Sequence, residues 1–131
     1  FNEVNINDNL KEINYGVAEG MFFEKFIQEY PKFKQKIDSN EDFKYPQGES
    51  YKEVNERIFK FLDESKNSVL AFTHQGPIRA LIGTILKIQI SDWYKINIPH
   101  GIPLEFIKYN GNYLINVNRR TLSSILKGIS G

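Results

Sequence analysis

The chain has 131 residues, of which 40% are hydrophobic and 25% charged, and its formal net charge is +1. This composition is typical of one globular domain, and the nearly neutral charge gives no broad attraction for nucleic acid or an anionic membrane. The sequence has no cysteine, which excludes disulfides and thiolate metal sites, and no apolar run has the length of a membrane span. We therefore expect a cytoplasmic protein that binds neither nucleic acid nor a membrane.

The residue pattern of the N-terminal third of the chain predicts loops and two short helices. Residues 3–7 have the composition of a short strand, and residues 9–20 have that of a glycine-containing loop. Apolar residues at near-helical spacing predict a helix over residues 21–30, which the following proline ends or kinks. Phe33 and Ile37 extend the apolar pattern into a second short helix.

The clearest helix of the sequence begins at Ser50. Ser50 and Glu53 form the Ser-x-x-Glu pattern of a capping box, in which each side chain accepts from the backbone N–H of the other residue. The apolar residues that follow are three and four positions apart and share one helix face: Val54, Ile58, Phe61 and Leu62.

The last third of the chain predicts a β-hairpin and a final helix. Two β-rich runs within residues 104–118 flank Asn110-Gly111, the strongest short signal for a hairpin turn. A short helix is expected over residues 119–128, and one or two helical turns are expected around Trp93.

The middle of the chain decides the predicted fold class. Residues 68–73 form an apolar run without alternation, which predicts a strand buried on both faces, as in parallel sheets. A helix is expected from Pro77 to about Lys87, with Pro77 at its first position. The order helix, strand, helix, hairpin predicts an α/β fold with a layered, mostly parallel sheet and helices on both faces.

His74 lies at the junction between the predicted strand and the helix that follows it. Ligands of open α/β sheets bind beyond the carboxyl ends of the strands, and the N–H groups of a helix N-terminus attract phosphate. Gly76 permits close approach, and a protonated imidazole would add a charged donor. The alternative, slightly favoured by the junction alone, is a strand-end histidine whose ring nitrogens bond backbone groups. His100 is the other histidine and is expected in a loop, without a metal site.

Three stretches together resemble the histidine phosphatase superfamily, which has the phosphoglycerate-mutase-like fold: residues 10–20, 46–62 and 69–83. Their order and spacing are similar to those of its small phosphatase branch, which includes the alpha-ribazole phosphatases and broad-specificity phosphatases. The resemblance implies that residues 1–131 form the C-terminal portion of a single phosphatase domain, which here lacks the N-terminal strand or strands of the sheet. It also implies a cap over the substrate at about residues 21–45.

The resemblance also implies roles for individual residues. His74 corresponds to the second histidine of the family's phosphate pocket, and Glu12 corresponds to the acid that protonates the leaving oxygen. Gln75 and Gly76 correspond to backbone that lines the same pocket. Three cap residues are placed to touch substrate, although core packing is the more common role of such side chains: Phe22, Phe23 and Phe26.

Two arginines outside these motifs, Arg57 and Arg79, are interpreted from the sequence as packing or surface residues. Without the resemblance, Glu12 would be interpreted as a solvated loop residue.

The family's nucleophile is a histidine in an Arg-His-Gly motif on the first strand, and this sequence contains no such motif. Because the chain also begins with Phe1, we expect it to be part of a longer phosphatase and to be inactive alone. The whole protein would hydrolyse a small phosphorylated substrate through a phosphohistidine, without a cofactor or metal. The chain would associate with its missing N-terminal half, or with a second copy, because exposed strand edges favour pairing.

Three other functions are considered. One is a phosphate-binding or interaction module without catalysis. Another is phosphoryl transfer of the phosphoglycerate-mutase type, which the short stretch between Glu12 and His74 disfavours. A nucleotide-binding domain is the least supported alternative, because the sequence contains neither Gly-x-Gly-x-x-Gly nor Gly-x-x-x-x-Gly-Lys-Ser/Thr.

Overall fold

The structure is a computed structural model that describes residues 3–129, and within them it contains five α-helices and one β-hairpin. The helices are α1 Phe23–Glu29, α2 Pro31–Asp38, α3 Tyr51–Glu64, α4 Gln75–Ile85 and α5 Arg119–Ile125. The strands are β1 Glu105–Tyr109 and β2 Asn112–Asn116. Short 3-10 turns lie at Asp8–Leu10, Gly16–Ala18 and Ile90–Lys95. No helix in this described part is long and apolar enough to cross a membrane.

Helix α3 confirms the capping box predicted from the sequence. The Ser50 hydroxyl accepts from the Glu53 N–H at 3.1 Å, and the Glu53 carboxylate accepts from the Ser50 N–H at 2.9 Å. These bonds satisfy two donors that would otherwise lack partners at the helix start. The inner face of α3 buries Tyr51, Val54 and Ile58.

Helix α4 begins two residues earlier than the sequence predicts. His74 is its N-cap, Gln75 is its first residue, and Pro77 therefore occupies the third position and not the first. Proline is tolerated there because the first turn needs no intrahelical donor. Six residues of α4 are buried: Gly76, Pro77, Ala80, Leu81, Ile82 and Gly83.

The layered parallel sheet expected from the sequence is absent from residues 3–129, where the one sheet is the two-stranded antiparallel hairpin. Residues 68–73 form no strand there, and residues 3–7 form none either. No backbone–backbone hydrogen bond joins residues 68–73 to the rest of the described chain. An apolar run becomes a buried strand only beside pairing partners, and residues 3–129 supply none next to it.

The hairpin is confirmed, with Phe106 opposite Ile115 and Ile107 opposite Leu114. Asn110 and Gly111 both have positive φ, 49° and 76°, as a two-residue type I′ turn requires. One face of the hairpin packs on the core and α3, while Ile107 and Leu114 on the other face are exposed.

The core draws buried residues from all five helices, and its part around α1 and α2 is aromatic. Phe33 packs edge-on against Phe26 and Phe43, with ring centroids 4.6 and 4.5 Å apart. The predicted helices over residues 21–38 are thus confirmed as core elements. Of the cap phenylalanines, Phe26 is buried in the core. Phe22 and Phe23 are exposed, so the expectation that they pack in the core is wrong.

Candidate active site

His74 stands at the N-terminus of α4 with extended backbone angles, φ −119° and ψ 173°. Its carbonyl accepts the Ile78 N–H at 3.3 Å, which is the first hydrogen bond of the helix. Its side chain is exposed and makes no capping bond to the helix. The imidazole is therefore presented at the start of α4 and is not consumed in capping it.

The carboxylate of Glu12 lies at the same helix end. Glu12 Oε1 accepts the Gly76 N–H at 2.9 Å and the Ile13 N–H at 2.8 Å. Gly76 is necessary for this contact, because a Cβ at position 76 would collide with Glu12 Oε1 and the Ile13 side chain. The structure thus places the predicted acid on the N–H group two residues after the predicted pocket histidine.

This contact changes how the helix start can meet an anion. Gly76 donates to Glu12, Pro77 has no N–H, and Ile78 donates to His74, which leaves the Gln75 N–H as the remaining donor of the first turn. A carboxylate thus already occupies a position where helix N-termini stabilise negative charge. The phosphate-binding roles of His74, Gln75 and Gly76 stay predictions.

The loop that carries Glu12 is also held by an ion pair between Arg57 and Glu49. Arg57, on α3, donates from Nε and Nη2 to the two carboxylate oxygens of Glu49 at 3.0 and 3.1 Å. Its Nη1 donates to the carbonyls of Asn9 and Lys11, both at 2.8 Å, and Nη2 also donates to the carbonyl of Glu12 at 3.1 Å. The sequence interpretation of Arg57 as a packing or surface residue is therefore wrong.

Glu49 is the acceptor that orients this guanidinium. Burial by itself would raise the pKa of Glu49, but hydrogen bonds from Arg57 and the Asn14 N–H, together with the charge of Arg57, lower that pKa overall. Glu49 is thus held as a carboxylate beside the loop that carries Glu12.

Three tyrosines and Arg79 form a second polar cluster next to Glu12. Burial raises the pKa of Tyr15, Tyr45 and Tyr51 above the usual value, so these hydroxyls stay protonated donors. Arg79 donates from Nε to the Ile96 carbonyl at 2.9 Å. Its positive charge acts on all three tyrosines.

Two surface cavities border this region. One, of about 240 Å³, is lined mainly by aromatic and apolar side chains, including Tyr15, Met21, Phe23 and Tyr45. The other, of about 280 Å³, is polar and is lined by Asp8, Lys11, Glu12, Asn14, Glu49 and Arg57. Glu12 lines the polar cavity, whereas His74 lines neither of the two cavities. The proximity of Glu12 to the start of α4 is therefore established by its hydrogen bonds and not by a shared cavity.

Both arginines, Arg57 and Arg79, have specific partners that their sequence interpretation did not assign. Arg79 is the one charged residue of α4, a helix that is otherwise apolar apart from Gln75 and Thr84, and an isolated charge in such a helix signals a specific partner. Arg57 offered no comparable signal, because an arginine on the polar side of an amphipathic helix is usually solvated.

Residues 2–115 match the family model described as histidine phosphatase superfamily (branch 1). The chain is 32% identical over 101 residues to the fructose-2,6-bisphosphatase of Saccharomyces cerevisiae, an alignment covering 73% of this chain and 22% of that protein. It is 33% identical over 95 residues to a 6-phosphofructo-2-kinase/fructose-2,6-bisphosphatase of Caenorhabditis elegans, which covers 69% of this chain and 20% of that protein.

The phosphoserine phosphatase 1 of Hydrogenobacter thermophilus is 28% identical over 98 residues, covering 70% of this chain and 46% of that enzyme. The chain thus spans from a fifth to less than half of the length of these curated relatives.

Proposed function

The chain belongs to the histidine phosphatase superfamily, branch 1, and from this premise we propose that the whole protein hydrolyses a small phosphate monoester through a phosphohistidine. Phosphoryl hydrolysis or transfer is the chemistry that the superfamily and its named phosphatases support. One observation carries the assignment to this site: the Glu12 carboxylate bonds the Gly76 N–H at 2.9 Å, at the helix end that presents His74.

In the first step, a histidine supplied by polypeptide outside residues 1–131 attacks phosphorus and the bond to the leaving oxygen breaks. His74 donates to a phosphoryl oxygen, whose charge needs stabilising in the transition state. Glu12 gives its proton to the leaving alcohol. Because Glu12 Oε1 already accepts two N–H groups, the proton of the acid form is carried by Oε2.

In the second step, water attacks the phosphohistidine and inorganic phosphate leaves. Glu12, now a carboxylate, takes a proton from the attacking water and so returns to its acid form. The site then holds the same protons as before, and the proposal needs no metal or organic cofactor.

Hydrolysis is preferred over mutase-type transfer for two reasons. The stretch between Glu12 and His74 is short, and the relatives described above are named as phosphatases. These relatives are named for sugar and amino-acid phosphates, which agrees with a small substrate. Assignment to the alpha-ribazole phosphatases and a cytoplasmic location stay predictions from the sequence.

The proposal is tested by assaying phosphate release from p-nitrophenyl phosphate by the whole protein and by the 131-residue chain. We expect turnover by the whole protein, none by the chain alone, and loss of at least about 100-fold in kcat for His74→Ala, because this change removes a transition-state donor. A thermal melt shows whether His74→Ala keeps the fold.

Two results would overturn this assignment. Turnover by the 131-residue chain would show that no outside nucleophile is needed. A whole protein that binds inorganic phosphate without any turnover would favour the non-catalytic binding module.

A further inference from the structure

We propose that Arg57 is the positioning residue of the acid: it fixes the loop over residues 9–14 so that Glu12 presents Oε2 to the leaving oxygen. The inference rests on the proposed function, in which Glu12 is the acid, and it adds a residue that lies on a different element and does not touch substrate.

All five donors of the Arg57 guanidinium are used. Two bonds go to the Glu49 carboxylate, and three go to the backbone carbonyls of Asn9, Lys11 and Glu12. A guanidinium has five N–H donors in a rigid plane, so five correctly placed acceptors define its position and theirs. Because three of these acceptors belong to one loop, the bonds fix the course of that loop around Glu12.

Glu49 closes the arrangement on the far side of Glu12. Its Oε2 accepts the Asn14 N–H at 2.9 Å, and its own N–H donates to the Asn14 carbonyl at 2.8 Å. The loop is therefore held before Glu12 by Arg57, at Glu12 by Arg57, and after Glu12 by Glu49.

The pair differs from the surface ion pairs of this protein. The Arg57 and Glu49 side chains are 16% and 26% exposed, whereas the Lys108 and Asp63 side chains are 53% and 58% exposed. Removing two charges from water is costly unless their hydrogen-bonding groups are satisfied, as they are here. Lysine could not replace Arg57 in this role, because its three donors diverge from one atom.

The consequence for catalysis is specific to proton donation. Glu12 Oε1 is fixed by the Gly76 and Ile13 N–H groups only while the loop stays in place. If the loop is released, Oε2 loses its position relative to the leaving oxygen, but the groups that bind the phosphoryl moiety keep theirs. A misplacement of about 1 Å can lower a rate about 100-fold.

The test compares two monoesters hydrolysed by the whole protein. The phenolate of p-nitrophenyl phosphate leaves without help from an acid, whereas the alkoxide of β-glycerophosphate needs a proton. The variants are Arg57→Gln, Arg57→Lys, Glu12→Gln and the double variant Arg57→Gln/Glu12→Gln. Lys108→Gln is the control, because it breaks an exposed ion pair to the same helix α3. Circular dichroism and thermal melts of each variant check its fold.

We expect Arg57→Gln to lower kcat/KM for β-glycerophosphate about 10- to 100-fold, while kcat/KM for p-nitrophenyl phosphate changes by less than about threefold. We compare kcat/KM because it reports the steps up to departure of the alcohol and not the later water attack, in which Glu12 acts on both substrates alike. Glu12→Gln should show the same selectivity, and the double variant should be no slower than Glu12→Gln. Arg57→Lys should recover only part of the loss. The Gly76 amide resonance, which reports the bond to Glu12, should shift in Arg57→Gln and not in Lys108→Gln.

The outcomes separate this inference from the proposed function. If Glu12→Gln slows β-glycerophosphate but folded Arg57→Gln or Arg57→Lys does not, the positioning role is wrong and the acid stands. Equal losses on both substrates in Arg57→Gln would mean a general structural role, which also overturns the inference. If Glu12→Gln slows neither substrate, the acid assignment is wrong and the role of Arg57 is overturned with it.

Discussion

Two carboxylates, Glu12 and Glu49, determine how the loop before the first helix is held. Glu12 bonds the N-terminus of α4, and Glu49 bonds Arg57 on α3. Each is only partly exposed and each accepts a backbone N–H of residues 13 or 14. Because their partners are backbone N–H groups and Arg57 on fixed elements, these two side chains join the loop to both helices.

Gly76→Ala tests the contact between Glu12 and α4. Alanine normally stabilises a helix relative to glycine by about 1 kcal/mol. Here the added Cβ would collide with Glu12 Oε1 and Ile13, so we expect a lower free energy of unfolding instead of a higher one. Urea denaturation measures the change, and Ser123→Ala, at an exposed position of α5, is the control. A stabilised Gly76→Ala variant would show that the Glu12 contact is not formed.

Glu49 should make the stability of the fold depend on acidic pH. Its pKa is lowered in the folded state, chiefly by Arg57 and the Asn14 N–H acting against burial. The carboxylate therefore stabilises the fold above the unfolded-state pKa, about 4.5, and this contribution is lost as pH falls through the lower folded pKa. Glu49→Gln should reduce the loss of stability on acidification, measured by denaturation between about pH 6 and pH 3. An unchanged pH dependence, compared with the exposed variant Glu24→Gln, would contradict this.

Among the elements, α3 and α4 build the site, because both hold the loop over residues 9–14. Helix α4 offers its N-terminal N–H groups, and α3 offers Arg57 from its second turn. Trp93 packs against α4 at Gly83, where a Cβ would collide with its ring. Its indole N–H donates to the Ile88 carbonyl at 3.0 Å.

Ser50→Ala tests how far α3 depends on its cap. The substitution removes the acceptor for the Glu53 N–H, and loss of such a cap typically costs about 1 kcal/mol. We expect that fall in the free energy of unfolding by urea denaturation. Ser68→Ala, in the exposed segment without backbone pairing, should leave stability within about 0.5 kcal/mol. Equal effects of the two substitutions would contradict the role of the cap.

At the scale of the whole molecule, two apolar surfaces lie uncovered. Residues 68–72 are exposed, with Phe72 84% accessible, and the outer face of the hairpin exposes Ile107 and Leu114. Exposed strand edges favour pairing with further strands, and an apolar run without backbone pairing offers the same opportunity. Both surfaces agree with the proposal that the whole protein adds polypeptide to this chain, as the greater length of its relatives does.

Hydrogen exchange tests that proposal. If residues 69–72 pair with added strands, their amides should exchange about 100-fold or more slowly in the whole protein than in the 131-residue chain. The Gly111 amide, at the tip of the hairpin, is the control and should exchange alike in both. Fast exchange of residues 69–72 in the whole protein would contradict the pairing. Slow exchange in the 131-residue chain that depends on concentration would indicate a second copy as the partner.

The sequence by itself determined the features that depend on neighbouring residues: the capping box at Ser50, the turn at Asn110-Gly111, the paired helices around Pro31, and the three motifs that carry the superfamily. These signals act over a few positions and need no distant partner. Only the tertiary structure decided what depends on distant contacts. Glu12 meets Gly76 across 64 positions and Arg57 meets Asn9 across 48, and no local pattern encodes such pairs. The run at residues 68–73 forms no strand within residues 3–129 for the same reason, since a strand exists only where another segment pairs with it.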